Sequence, residues 1–187
     1  MGVKLVVGLG NPGARYAFTR HNAGFIALDI FLGRMGVVMK EKREGSYFLQ
    51  IGLEENRVFF LKPYKYMNLS GGPVQKAMEE VGAAGADLLV LHDDIDIKLG
   101  DARYKFGGGH GGHNGLRSIM EHLATPEFHR VRIGVGRPPV GMDASDYVLS
   151  AFPGQEEDTF LDGLDLALEL LETRFLRPAA AGPGAGN

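Results

Sequence analysis

Apolar residues recur along this chain in two rhythms, and each rhythm predicts a different element. Val3–Leu9 is a short apolar run that ends among glycines, which predicts a buried strand. Ala23–Gly36 has helical spacing: Phe25, Leu28, Leu32 and Met35 fall on one face, and Gly36 ends it. Tyr47–Leu53 and Arg57–Leu61 flank Glu54-Glu55-Asn56 and predict an antiparallel hairpin. Pro73–Val81 predicts a helix with Pro73 in its first turn and Gly82 at its end. Asp87–Leu91 predicts a second buried strand, Leu116–Leu123 a helix and Phe128–Val135 a strand. Residues 138–147, rich in proline, glycine and aspartate, form a linker on this pattern. A final helix over Gln155–Phe175 carries Phe160, Leu164, Leu168, Leu171 and Phe175 at spacings of four and three. Its acids Glu157, Asp162, Asp165, Glu169 and Glu172 take the solvated face. Alternating strands and helices with one hairpin give an α/β layer fold: one domain, a mixed twisted sheet flanked by helices.

Length and composition leave that picture intact and narrow the setting. A chain of 187 residues can build one sizeable core. The domain is expected over residues 1–176, with the Pro/Ala/Gly-rich tail 177–187 disordered. No apolar run approaches the ~18 residues of a membrane span. The start Met1-Gly2-Val3-Lys4 enters a strand at once, with no cleavable signal, and Val6 stands where a myristoylation signal needs Ser or Thr. The absence of cysteine excludes disulfides, thiolate zinc sites and a thiol nucleophile. A cytoplasmic protein is expected.

Charge changes the picture more. The net charge is −3, but residues 138–187 hold nine acids against only Arg174 and Arg177. Of the 20 basic and 23 acidic residues, 18 and 14 therefore lie in residues 1–137. The stretch 98–137 is richer still, with Lys98, Arg103, Lys105, Arg117, Arg130, Arg132 and Arg137 against Asp101, Glu121 and Glu127. Such a surface either binds phosphates or is scattered solvated charge.

Polar clusters at the ends of the predicted strands carry the candidate chemistry. Gly8-Leu9-Gly10-Asn11-Pro12-Gly13 matches the dinucleotide pattern G-x-G-x-x-G. Its context fails: Pro12 and Gly13 open a longer loop, and Asp29, at the distance of the ribose-binding acid, lies mid-helix. The turn instead leaves Asn11 exposed beyond the first strand. His21, in Thr19-Arg20-His21-Asn22-Ala23-Gly24, follows at a helix start. Its ordinary pKa of about 6.5 suits proton transfer near neutrality, although a histidine can equally be structural. Asp93, in His92-Asp93-Asp94, ends a buried strand, so it could face His21 and fix its tautomer. Ser70 has no G-x-S-x-G elbow and reads as a helix cap. Activated water is then the simplest nucleophile. His110 and His113 form an H-x-x-H pair, but five surrounding glycines give no rigid helix to fix both rings on a metal. That glycine run reads as a loop whose backbone approaches a large ligand, and Asn114 after it is either an N-cap or a ligand contact.

These segments together resemble the bacterial peptidyl-tRNA hydrolase family. The resemblance runs from Lys4–Gly13 to Tyr147–Phe152. It includes Thr19–Gly24, Met67-Asn68-Leu69-Ser70-Gly71, His92–Asp96, Gly107–Gly115 and Phe128–Pro138, in the family's order. It implies a monomeric esterase, without metal or cofactor, that frees tRNA from peptides dropped by stalled ribosomes. It implies His21 as catalytic base supported by Asp93, and Asn11 as the residue that separates peptidyl-tRNA from free aminoacyl-tRNA. Tyr16, Tyr66, Asn68 and Asn114 would line the substrate site, and Lys105 with Arg132 would grip the 5′ phosphate of the tRNA. Two departures from the family pattern are Lys65, in place of threonine, and Ile97-Lys98-Leu99-Gly100, in place of a proline-containing turn. The competing readings are a non-catalytic RNA-binding protein of the same fold and a nucleotide-dependent oxidoreductase. Retention of His21, Asp93, Asn68 and Asn114 argues against the first, and the broken glycine fingerprint against the second.

Overall fold

The computed structural model describes residues 2–39, 42–43, 45–53 and 55–178. In chain order the elements are β1 (Val3–Gly8), α1 (Ala23–Arg34), β2 (Lys42–Arg43), β3 (Ser46–Leu53), β4 (Asn56–Pro63) and α2 (Gly71–Val81). Then come β5 (Leu88–Asp94), β6 (Ala102–Phe106), α3 (Asn114–Leu123), β7 (His129–Gly134), α4 (Ala144–Val148) and α5 (Gly154–Leu171). The strands form one mixed sheet in the order β2-β3-β4-β1-β5-β7-β6. The four central strands β4, β1, β5 and β7 are parallel, and the outer strands β2, β3 and β6 pair antiparallel.

The central strands are apolar nearly throughout because they are covered on both faces. Leu5 and Val7 of β1 face a core with Val74 and Met78 of α2 and Leu116 and Ile119 of α3. Val6, between them, faces the opposite core with Leu28 and Phe31 of α1 and Leu164, Leu168 and Leu171 of α5. Leu88 and Val90 of β5 join the first core, Leu89 and Leu91 the second, as the two-residue strand period requires.

The predicted elements appear with their ends adjusted by a few residues, and three features depart from expectation. Neither edge strand, β2 or β6, was predicted. In Ala102-Arg-Tyr-Lys-Phe106 only Ala102 is buried, so hydrophobic alternation is nearly absent. Residues 138–147 are not wholly a linker, since α4 begins at Ala144 under an Asp143 N-cap whose side chain accepts from Ser145 N–H. Helix α5 passes at Glu172 into a single π-helical turn, Glu172–Leu176. There the Lys4 ammonium of β1 donates to the carbonyls of Phe175 and Leu176, two of the acceptors a helix end leaves unpaired. Most of the tail expected to be disordered, 179–187, lies outside the described residues. Among the described residues no helix is long and apolar enough to cross a membrane.

Candidate active site

The site lies where parallel strands end, the edge at which α/β proteins place ligands. Gly8, the last residue of β1, stands beside Leu91 of β5. Strand β5 therefore runs three residues further, and His92, Asp93 and Asp94 pair only with β7. The loop after β1 returns through a tight turn, Arg20–Asn22, into α1. Gly24 allows that return: a methyl group on it would strike the Leu91 carbonyl and lie 2.5 Å from Leu9 N. His21 is thereby set against the overhanging end of β5.

His21 donates through Nδ1 to the Asp93 carboxylate, at 2.9 Å from Oδ1 and 3.0 Å from Oδ2. Its proton is thus fixed on Nδ1, and its Nε2 lone pair has no partner among the described residues. His113 shares the same carboxylate, with Nε2 3.0 Å from Asp93 Oδ1. Its tautomer is fixed from the other side: Nδ1 accepts the N–H groups of Gly115 (3.1 Å) and Leu116 (3.3 Å) at the start of α3. His113, not Ser70 or Asn114, is therefore the side chain that caps a helix here. Ser70 donates its hydroxyl back to the Met67 carbonyl at 2.8 Å, while Ser118 Oγ accepts the first N–H of α2, that of Gly71. Asn114 is the first residue of α3, with its amide exposed.

Burial opposes charge on Asp93, His21 and His92, and their neighbours decide the outcome. Burial alone would raise the Asp93 carboxyl. His21 and His113 more than offset it, and Asp93 is held well below the usual carboxylate range. For His21, burial favours the neutral ring, but the Asp93 carboxylate outweighs it and leaves the pKa raised above 6.5. His92 is pushed down to about 3 by its burial and by His113. It stays neutral, donating from Nδ1 to the Asp93 carbonyl at 2.7 Å, and its buried Nε2 has no hydrogen-bond partner among the described residues.

His21 Nδ1, an Asp93 oxygen and His113 Nε2 lie within 4.8 Å of one another, close enough to suggest a cation site. The donors do not suit one. An ion at His113 Nε2 would move the proton to Nδ1, which already faces two N–H groups. His110 is not part of this group, and its Nδ1 accepts the Gly112 N–H at 3.1 Å.

Asn11 is not exposed, as the sequence suggested, but only 7% accessible. Its Oδ1 accepts the Met67 N–H at 2.8 Å, which fixes the amide orientation and leaves Nδ2 as the group it can offer. Its backbone N–H and carbonyl are both bonded by the Asn22 side chain, at 2.8 and 3.0 Å. Asn22 was not singled out in the sequence, nor was Arg20. The buried Arg20 guanidinium holds Ser150 Oγ and the Ala151 carbonyl at 2.7 Å and Glu156 at 2.5 Å, tying the chain around α4 to the His21 turn.

One cavity of about 910 Å³ opens at this strand edge. His21, Asp93, Asn11, Tyr66, Asn68, Asn114, Lys105 and Arg132 all contribute to its wall, with Val148 and Leu149 beside them. Tyr16 does not; it packs under the Arg15 guanidinium, 4.4 Å from its ring. At the basic end, exposed Lys105 of β6 stands opposite Arg130 of β7. Arg132 donates from Nε to Asp94 at 2.8 Å. Arg130 is buried with no carboxylate partner among the described residues, and it binds the carbonyls of Gly109 (2.8 Å), Gly108 and Pro126. It thereby holds the glycine loop, whose Gly108 has a φ of +93°, against Lys105.

A family model described as Peptidyl-tRNA hydrolase matches residues 5–180. The peptidyl-tRNA hydrolase of Citrifermentans bemidjiense is 44% identical over 172 residues, covering 92% of this chain and 91% of the relative. That of Geobacter metallireducens is 46% identical over 181 residues, covering 95% and 93%. The crystal structure of peptidyl-tRNA hydrolase from Acinetobacter baumannii matches with a TM-score of 0.84 at 39% identity, over 91% of this chain and 87% of that one. In sequence over nearly its whole length, and in fold, the chain belongs to the peptidyl-tRNA hydrolase family.

Proposed function

We propose that His21, held by Asp93, activates the water with which this peptidyl-tRNA hydrolase cleaves the ester between peptide and tRNA. The observation that carries the assignment is the pairing of His21 Nδ1 with the Asp93 carboxylate, which leaves Nε2 as a base for the cavity the ring lines. Nε2 takes a proton from water, and the oxygen attacks the ester carbonyl carbon. The imidazolium that forms is stabilised by Asp93. When the bond from carbonyl carbon to ribose oxygen breaks, Nε2 returns the proton to the ribose oxygen. Peptide acid and free tRNA leave, and no acyl-enzyme, metal or cofactor is needed.

On this reading Asn11 donates from Nδ2 to the acyl carbonyl of a blocked amine, a group that free aminoacyl-tRNA lacks; the engagement of its Oδ1 by the Met67 N–H supports this. Asn68, Asn114 and Tyr66 offer exposed polar groups along the cavity for substrate. Tyr16 acts, on this reading, from outside the cavity wall. Lys105 and Arg132 grip the 5′ phosphate of the acceptor stem, a contact that positions the tRNA without reading its sequence. The protein works as a cytoplasmic monomer on peptidyl-tRNA shed by stalled ribosomes, with residues 1–176 as the catalytic domain and no membrane partner.

Release of peptide from an N-blocked aminoacyl-tRNA tests the reading. His21→Ala should lose about 10²–10⁴-fold in turnover while still binding tRNA, the usual contribution of a general base. Chelator should leave the parent rate unchanged. A variant within a few-fold of the parent would remove His21 from this role.

A further inference from the structure

We infer that His113 is a positioning residue for the hydrolysis, one that sets the basicity of His21 through the carboxylate they share. The inference rests on His21 being the base.

The geometry gives one ring two separable tasks. His113 Nε2 donates to Asp93 Oδ1 at 3.0 Å, the oxygen that also accepts His21 Nδ1 at 2.9 Å. His113 Nδ1 accepts from Gly115 and Leu116 and so caps α3. Each donor to a carboxylate spreads its negative charge and weakens what it can give another partner. Asp93 with two imidazole N–H donors therefore holds a His21 imidazolium less tightly than Asp93 with one. A base held too tightly would stay protonated at neutral pH, and a base with no carboxylate would be a poor proton acceptor. The second histidine places His21 between those limits.

The surroundings keep the effect local. On β5, neutral His92 donates to the Asp93 carbonyl, 2.7 Å from it. The neighbouring Asp94 is paired with Arg132 of β7 at 2.8 Å. Arg130 of β7 is bound to loop carbonyls. Lys105 of β6, Arg117 of α3 and His110 of the glycine loop line the cavity. His113 meets the His21 ring directly, with centroids 4.8 Å apart. No other side chain among the described residues donates a hydrogen bond to the Asp93 carboxylate.

The two ring nitrogens can be mimicked one at a time. An asparagine amide reaches the position of Nδ1, and a glutamine amide that of Nε2. His113→Asn keeps an acceptor for the helix cap and drops the donor to Asp93. His113→Gln keeps a donor for Asp93 and drops the cap. The readouts are the His21 titration midpoint, followed by NMR of the imidazole in the whole protein, and the acid limb of the pH–rate profile. His113→Asn should raise both by about half a unit to one unit, the effect of losing one neutral hydrogen bond. His113→Gln should lower the melting temperature yet leave the His21 midpoint near the parent value. An unchanged midpoint in His113→Asn, or equal shifts in both variants, would overturn the inference and leave His113 as a helix cap alone. Should the parent's rate fail to follow the His21 midpoint, the fault lies with His21 as base, and the NMR shift still decides the role of His113.

Discussion

At the scale of single residues the site is governed by which atoms are already engaged. Asn11 has spent its oxygen on the Met67 N–H, and its two amide hydrogens have no partner among the described residues. An N–H donor suits the carbonyl of a blocked amine and repels the ammonium that free aminoacyl-tRNA carries near neutral pH. Asn11→Asp would keep the bond to Met67 and turn a carboxylate oxygen toward that ammonium. The ratio of kcat/KM for blocked over unblocked substrates should therefore shrink; an unchanged ratio in a folded, active variant would exclude Asn11. The pH profile follows from the same logic. The His21 pKa is raised above 6.5 by Asp93, and the base works only when neutral. Activity should thus rise with pH through a midpoint above 6.5. In Asp93→Asn the burial of the ring is left without its counter-charge, so that midpoint should fall while turnover also falls.

His21 and Asp93 were legible as candidates because one opens a predicted helix and the other ends a predicted strand. His113 in its role on Asp93 was not, since twenty residues separate the two and only folding brings His113 Nε2 to the carboxylate. The burial of Asn11 was hidden for a similar reason: its partners Asn22 and Met67 lie on two later segments.

At the scale of elements, legibility tracked burial. Strands β1 and β5 are sandwiched between helices and announce themselves as apolar runs. Strand β6 is an edge with its Arg103, Lys105 and Phe106 exposed, so its sequence carries charge where a central strand carries valine. That edge matters because it sets Lys105 beside Arg130 and within the cavity that Arg132 shares. Arg132 is a different kind of cation from Lys105: its Nε is held by Asp94, next to Asp93, while its terminal nitrogens make no hydrogen bond among the described residues. Lys105→Ala and Arg132→Ala should each raise KM for full-length substrate and reduce the slope of log affinity against log salt by about one. Short ester mimics without an acceptor stem should be little affected by Lys105→Ala. Equal effects on long and short substrates would count against the phosphate grip. Helix α4 escaped notice because five residues between prolines and glycines give no period to read, yet Ala144, Ser145 and Val148 form part of the cavity wall.

At the scale of the whole molecule, the histidine cluster links catalysis to stability, because His21, His92 and Asp93 are buried where the cavity meets the end of β5. The signs differ from residue to residue. His21, with its pKa raised, binds its proton more tightly folded than unfolded. Its contribution is complete below pH 6.5 and is lost as pH rises through the folded value. Asp93, with its pKa depressed, contributes fully above the unfolded value of about 3.9 and loses that contribution only as pH falls far into the acid range. His92 is the residue that acts between. Unfolded, it takes a proton near pH 6.5; folded, it refuses one until about pH 3. Across that window the unfolded chain holds one more proton at this position. Stability should then fall with acidification by up to about 1.4 kcal/mol per pH unit from His92 alone. His92→Asn supplies a test, since its amide can still donate to the Asp93 carbonyl as His92 Nδ1 does but cannot titrate. Urea midpoints measured at pH 7, 6, 5 and 4 should decline in both proteins and less steeply in His92→Asn, by about one proton's worth. Parallel declines would mean that His92 takes up its proton in the folded protein, and that the neutral, unpartnered Nε2 at the heart of this site does not persist in acid.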